Sequence, residues 1–209
     1  MATRMRILVA SGVKQRPGWS GRILALLVCL SVLAGGFALA GEEKMPAARF
    51  ATFLARMLTY DNNLKERAGA RLSIAVLYDG KNPASVAQGT EMSAALKNLE
   101  LVRIADLPVN TLSLPFTDAS ELEQAVVSNS IAAFVISDGL EKQFAQIKKV
   151  SEKSKIITVG TSGTQVRAGC TIAVYLDSGK SKILVNLPSS RSEGIAFTSD
   201  LLGLAEVIQ

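Results

Sequence analysis

The chain has 209 residues, two cysteines, no histidine, and 23 basic against 18 acidic side chains, a formal net charge of +5. Without histidine, imidazole acid/base catalysis, Ser-His-Asp and Cys-His nucleophile systems and His-ligated metals are all excluded. Five of the basic residues (Arg4, Arg6, Lys14, Arg16 and Arg22) fall in the first 40 positions, which hold no acid. The remainder carries eighteen charges of each sign, so the basic balance offers no footing for nucleic-acid binding.

Those first 40 residues read as an export signal. A basic stretch precedes an apolar run from Ile23 to Ala40, broken only by Ser31 and Gly35-Gly36. The run ends in Ala38-Leu39-Ala40 before Gly41, with small residues at −3 and −1 of a peptidase cut. Cleavage after Ala40 is expected, leaving a single domain over residues 41–209 in the periplasm. An uncleaved anchor is the alternative, because the run approaches the ~20 residues that span a bilayer. Cys29 leaves with the signal, so Cys170 has no intramolecular disulfide partner.

Beyond the signal, Phe50, Phe53, Leu54, Met57 and Leu58 recur at helical spacing, predicting a helix from Pro46 to Leu58 that Tyr60-Asp61-Asn62-Asn63 ends. Leu72 to Tyr78 is an apolar run expected of a buried strand. Asp79-Gly80-Lys81-Asn82-Pro83 is turn chemistry, and residues 84–98 read as a helix. Leu101–Leu107 and Thr111–Phe116 suggest two short strands. Asp118 is placed to cap a helix through Val127. Ile131–Ile136 is a second buried strand, followed by a helix over 140–151 and a strand over Lys155–Val159.

In the last third, Cys170–Leu176 and Lys182–Leu187 flank Asp177-Ser178-Gly179-Lys180, a hairpin turn. Ile172, Val174 and Leu176 share one face of the first strand, and Ile183, Val185 and Leu187 one face of the second. A short polar helix follows Pro188. A final helix, capped by Thr198-Ser199, buries Leu201, Leu202, Ala205 and Ile208. Strands alternating with helices predict a single α/β domain: a largely parallel sheet flanked by helices, with a C-terminal β-hairpin plus helix.

Three strand ends run into polar loops, bringing forward Asp79, Ser137, Asp138, Thr161 and Ser162 as contacts for a small ligand or a partner. The carboxyl ends of parallel strands form the usual crevice, although the same residues also make ordinary turns. Asp61, Asn63 and Arg67 form a candidate recognition cluster, or else a local bridge at a helix end. Lys148-Lys149, with Lys153 and Lys155, reads as a solvated helix end. The pairs Glu42/Glu43 and Glu121/Glu123 show no convergence on a site, and no enzyme activity or cofactor is expected. Cys170, in an apolar strand, reads as an inert core thiol.

Several segments together resemble the YfiR/HmsC-like family of small periplasmic proteins. One is the helix ending in Leu58-Thr-Tyr-Asp-Asn-Asn-Leu64, followed by Ile74-Ala-Val-Leu-Tyr78. The most specific is the block from Val166-Arg-Ala-Gly169-Cys170 through the hairpin to Ile183-Leu-Val-Asn186-Leu. It continues to Ile195-Ala-Phe-Thr-Ser199-Asp-Leu201-Leu202-Gly-Leu-Ala205. The resemblance covers roughly residues 46–208, about one domain in size.

It implies a repressor that holds the sensor domain of an inner-membrane diguanylate cyclase inactive, controlling cyclic-di-GMP and biofilm. The partner is then a membrane signalling protein, a cyclase or a sensor kinase, and the membrane is met only through it. A homodimer stays open. Gly169-Cys170 stands where family members commonly show Gly-Gly, and the paired cysteines of redox-sensitive members have no counterpart. A disulfide between copies remains open. The alternative is a small-molecule binding module like one lobe of a substrate-binding protein, with a pocket beside Asp79, Ser137 and Thr161.

Overall fold

The computed structural model describes residues 42–209; the expected signal over 1–40 and its cleavage motif at Ala38, Ala40 and Gly41 lie outside the described residues. The described residues build a nine-stranded sheet in the order β3 (Arg103–Ile104), β4 (Leu107–Pro115), β2 (Leu72–Tyr78), β5 (Ile131–Ile136), β6 (Ile157–Gly160), β7 (Ile172–Asp177), β8 (Lys180–Asn186), β9 (Glu206–Ile208), with β1 (Glu42–Glu43) added beside β7. Strands β4, β2, β5, β6 and β7 run parallel to one another. Helices cover both faces of this part. That is why β2 from Leu72 to Leu77 and all of β5 are buried, and why β5 reads as an unbroken apolar run and β2 as one interrupted only by Ser73.

Alternation along β2 divides the interior into two cores. Leu72, Ile74 and Val76 face one core together with α1 (Ala47–Thr59) and α3 (Pro83–Lys97). Ala75 and Leu77 face the other, with α4 (Ala119–Asn129) and α5 (Phe144–Ser154). Helix α1 buries Phe50, Ala51, Leu54, Met57 and Leu58, positions spaced three and four apart that form one stripe. Helix α3 buries Ser85, Gly89, Met92, Ser93 and Leu96, a face that mixes small residues with Met92 and Leu96. Gly89 sits so close to Tyr78 that an added Cβ would lie 2.9 Å from its side chain. Asp118 caps α4 as expected, accepting from the amides of Ser120 and Glu121 at 2.8 and 3.0 Å.

The chain leaves β2 through α3 on one face to reach β4, and leaves β5 through α5 on the other face to reach β6. Loops after β2 and β5 therefore diverge, and the ends of these strands border the crevice where α/β proteins place ligands. β6 pairs with β7 only at Ile172 and Ala173, so the rest of that β7 edge is open to another strand. β1 (Glu42–Glu43) takes the far end, with Glu43 opposite Leu176. The turn between β7 and β8 (Lys180–Asn186) places Ser178 and Gly179 at φ 51° and 74°, the two left-handed positions of a tight hairpin.

Several expectations differ from the structure. The strands expected over 101–107 and 111–116 are a short 3-10 turn (Asn98–Leu101), then β3 (Arg103–Ile104) hairpinned onto the long β4. The turn uses Ala105 and Asp106 at φ 50° and 65°, left-handed positions without the glycine that would advertise them. The helix expected over 140–151 starts at Phe144 and ends at Ser154, and the strand expected from Lys155 starts at Ile157, because Lys155 adopts a left-handed helix-ending conformation. Two short helices, α2 (Leu64–Ala68) and α6 (Gly163–Arg167), occupy stretches for which no element is expected from the sequence. Finally, the last helix, α8 (Ser199–Leu204), ends where Ala205 turns extended, and β9 (Glu206–Ile208) pairs parallel to β8. Thr198 precedes α8 without a side-chain capping bond. Before it, α7 (Leu187–Ser192) is the short polar helix expected after the hairpin.

Candidate functional site

The carboxyl ends of β5 and β6 open into a cavity of about 310 Å³. Its apolar wall is Ile136, Leu140, Phe144 and Ala168; its polar side is Thr161, Ser162, Thr164 and Gln165. Charged groups at the lining are Glu43, Lys44, Asp138 and Glu141. A neighbouring hollow of about 350 Å³, bounded by Phe50, Gln88 and Met92, shares Lys44 and Thr161 with it.

Asp138 is the best-defined polar group there. Its backbone N–H donates to Gln88 Oε1 at 2.8 Å, which ties the β5 loop to α3. Oδ1 accepts from Thr161 Oγ1 at 3.1 Å, and Oδ2 takes the Lys44 ammonium at 2.9 Å. Thr161 is held in turn, its N–H donating to Gln165 Oε1 at 2.6 Å. Gln165 Nε2 reaches back to the Ile136 carbonyl at 3.2 Å. Ser162 caps α6, accepting from the Gln165 amide. The β5 and β6 loops are thus fixed to each other by side chains, while Lys44 reaches in from the segment between β1 and α1.

Of the strand-end residues singled out from sequence, Asp138, Thr161 and Ser162 meet in this cavity. Asp79 and Ser137 are not among its lining residues. Asp79 closes its own turn, accepting from the Lys81 amide at 2.9 Å. Ser137 is buried, with a hydroxyl that finds no protein partner.

In the Asp61, Asn63 and Arg67 cluster the polar side chains bridge locally and to the neighbouring backbone, with Asp61 buried and Asn63 and Arg67 part-buried. Asp61 pairs with Arg67 in a buried ion pair and accepts from the amides of Asn63 and Ala196 at 3.0 and 3.1 Å. Arg67 donates to the carbonyls of Ala132 and Lys155, both at 3.1 Å. Asn63 donates to the Gly194 carbonyl at 3.0 Å. Together they bind the end of α1 to β5 and to the loop before α8. The sequence shows three polar residues near a helix end, but not the carbonyls that await them.

A second internal polar centre was not legible in the sequence. Glu193, fully buried, accepts from Ser151 Oγ at 2.9 Å, Thr158 N at 2.9 Å, Thr158 Oγ1 at 2.8 Å and Thr171 Oγ1. Lys148 pairs with it at 2.8 Å, so this lysine of the expected solvated helix end is drawn inward. Cys170 lies beside this centre, completely buried. Burial first, and the negative charge of Glu193 second, push its thiol pKa far up, which keeps it protonated and unreactive.

The other residues singled out hold the C-terminal block together. Gly169 takes φ 121°, a conformation open to glycine, against the Phe144 ring. Asn186 caps α7 by accepting from the Ser189 amide at 3.0 Å and donates to the Val166 carbonyl at 3.1 Å. Leu201 is buried and Leu202 half-buried against the first core.

On the sheet's other flank lies a hollow of about 350 Å³ between Phe53, Ile183, Leu204 and Ala205, rimmed by Ser181, Lys182 and Glu206. Leu204 is 69% exposed there. Arg49 lies 5.9 Å from the Phe53 ring centre and donates to Ser181 Oγ at 2.9 Å.

Among the described residues no helix is long and apolar enough to cross a membrane. Nor does any group of three or more acidic or cysteine side chains among them converge as a metal site.

The sequence model of a family described as YfiR/HmsC-like matches residues 50–206. No curated protein matches. Among solved structures, a conserved domain protein of Vibrio cholerae O1 biovar El Tor is similar at 11% identity with a TM-score of 0.55. An ABC domain in complex with L-Trp from Streptococcus pneumoniae is similar at 17% identity with a TM-score of 0.51. Each likeness covers 78% of this chain and 60% of the other, so the chain spans less than two thirds of those structures. At such identities the likeness is one of fold.

Proposed function

The chain belongs to the YfiR/HmsC-like family, and from that membership we propose that it is a periplasmic repressor acting on a membrane signalling partner. Membership supports a periplasmic regulatory role in general. The finer reading is that it binds the periplasmic sensor domain of an inner-membrane diguanylate cyclase and favours the inactive state. Such a protein needs only a surface with higher affinity for one conformation of its partner. The family match over residues 50–206 is the observation that carries this reading. The hollow at Phe53, Ile183 and Leu204 supports it, because an apolar centre with a polar rim is the anatomy of a protein contact.

Capture of membrane proteins on the purified chain, with mass spectrometry of what is retained, tests the proposal. A diguanylate cyclase should be retained, and Leu204→Asp should weaken its retention without changing the thermal midpoint. Retention of no membrane signalling protein would sink it.

A second reading is favoured by one observation. The cavity at Asp138 and Thr161 lies at the strand ends, where a small-molecule binding module of this architecture takes its ligand.

A further inference from the structure

Asp138 is a carboxylate held in place but incompletely used. Gln88 and Thr161 fix its backbone and one oxygen, while its other oxygen is taken by Lys44, a side chain 74% exposed. An ion pair this open to water contributes little and exchanges readily. Next to it lies the apolar wall of Ile136, Leu140 and Phe144, which the Lys44 ammonium cannot exploit.

From this we infer that the cavity binds a small organic cation, an ammonium on an apolar body, which displaces Lys44 from Asp138. The inference rests on the second, ligand-binding reading and is independent of the partner reading. Three acidic residues (Glu43, Asp138 and Glu141, the last accepting from the Gly139 amide at 3.0 Å) stand among the lining against one basic residue, Lys44, so the local field favours cations over anions. The described carboxylates do not converge as metal ligands do, which makes a diffuse organic cation the better fit. At about 310 Å³ the cavity is at the small end of ligand pockets. In the exchange the incoming ammonium takes over Asp138 Oδ2 and the apolar body covers the Phe144 wall. That burial supplies affinity which the lysine in its place does not gain.

Calorimetric titration of protein expressed from the full sequence, with 2-phenylethylammonium as the probe, tests this. The neutral 2-phenylethanol and the anionic 3-phenylpropionate are the comparison ligands. The ammonium should bind, the alcohol about tenfold or more weakly, as expected for loss of a charged hydrogen bond, and the propionate not at all. Asp138→Asn should cost the ammonium a similar factor, while Lys44→Ala should tighten it by up to about fivefold by removing the internal competitor. Equal binding of alcohol and ammonium, unchanged in Asp138→Asn, overturns the cation class and leaves the cavity as a site for an uncharged ligand. Weaker ammonium binding in Lys44→Ala overturns the displacement. No binding of any probe at millimolar concentration overturns the inference and the ligand-binding reading together.

Discussion

Glu193 and Asp138 are both carboxylates in loops at the ends of secondary elements, and they live in opposite circumstances. Glu193 has no exposed surface, and its oxygens are met by the buried Ser151, Thr158 and Thr171 and by the largely buried Lys148. Asp138 keeps 38% of its side chain exposed and shares its outer oxygen with a lysine that can leave. A buried charge survives only when every direction around it is satisfied, so Glu193 is committed to joining α5, β6, β7 and the end of α7. A carboxylate with an exchangeable partner is available for recognition. Partner mobility, more than charge or position along the chain, separates a structural acid from a binding one.

Substitution can break this contrast. The largest effect is expected for Glu193→Ala, which leaves Lys148 with Glu152 alone at 3.7 Å and takes the carboxylate acceptor from the buried Ser151, Thr158 and Thr171 hydroxyls: a loss of about 3–5 kcal/mol in urea unfolding. A loss below about 1 kcal/mol would mean that the centre is hydrated rather than sealed. Asp61→Asn should follow, at about 2 kcal/mol, because it removes the charge facing the buried Arg67 while sparing some of the amide bonds. Unchanged stability there would return the Asp61, Asn63 and Arg67 cluster to the surface role suggested by sequence. Smallest is Asp138→Asn, expected within about 0.5 kcal/mol of the parent, as for other substitutions at exposed sites. A larger loss would place Asp138 beside Glu193 as a structural group and weaken its case as a binding one.

Much of the fold was legible where local pattern and tertiary outcome coincide. β2 and β5 could be read to the residue, because burial on both faces makes them almost wholly apolar, with the buried Ser73 the one exception. The β7–β8 hairpin and the Asp118 cap rest on chemistry contained within four residues. The misses follow from the same logic. The β3–β4 turn uses Ala105 and Asp106 without glycine, and α2 and α6 are too short to show a period. β9 is a strand only because β8 offers it an edge. At the cavity, the polar strand ends pointed to Asp138, Thr161 and Ser162. Nothing local pointed to Lys44, Gln88 or Phe144, which arrive from other elements.

The sequence by itself determined that imidazole chemistry is missing and which layers form. Lack of histidine, the apolar runs, the caps and the turn residues act at short range and can be read in place. Only the tertiary structure decided which charges are sealed and which remain available. Burial and the nearness of Asp138 to Lys44, or of Glu193 to Lys148, are properties of elements packed from far along the chain. The free energy of a charge depends on that whole surrounding, and no window of sequence contains it.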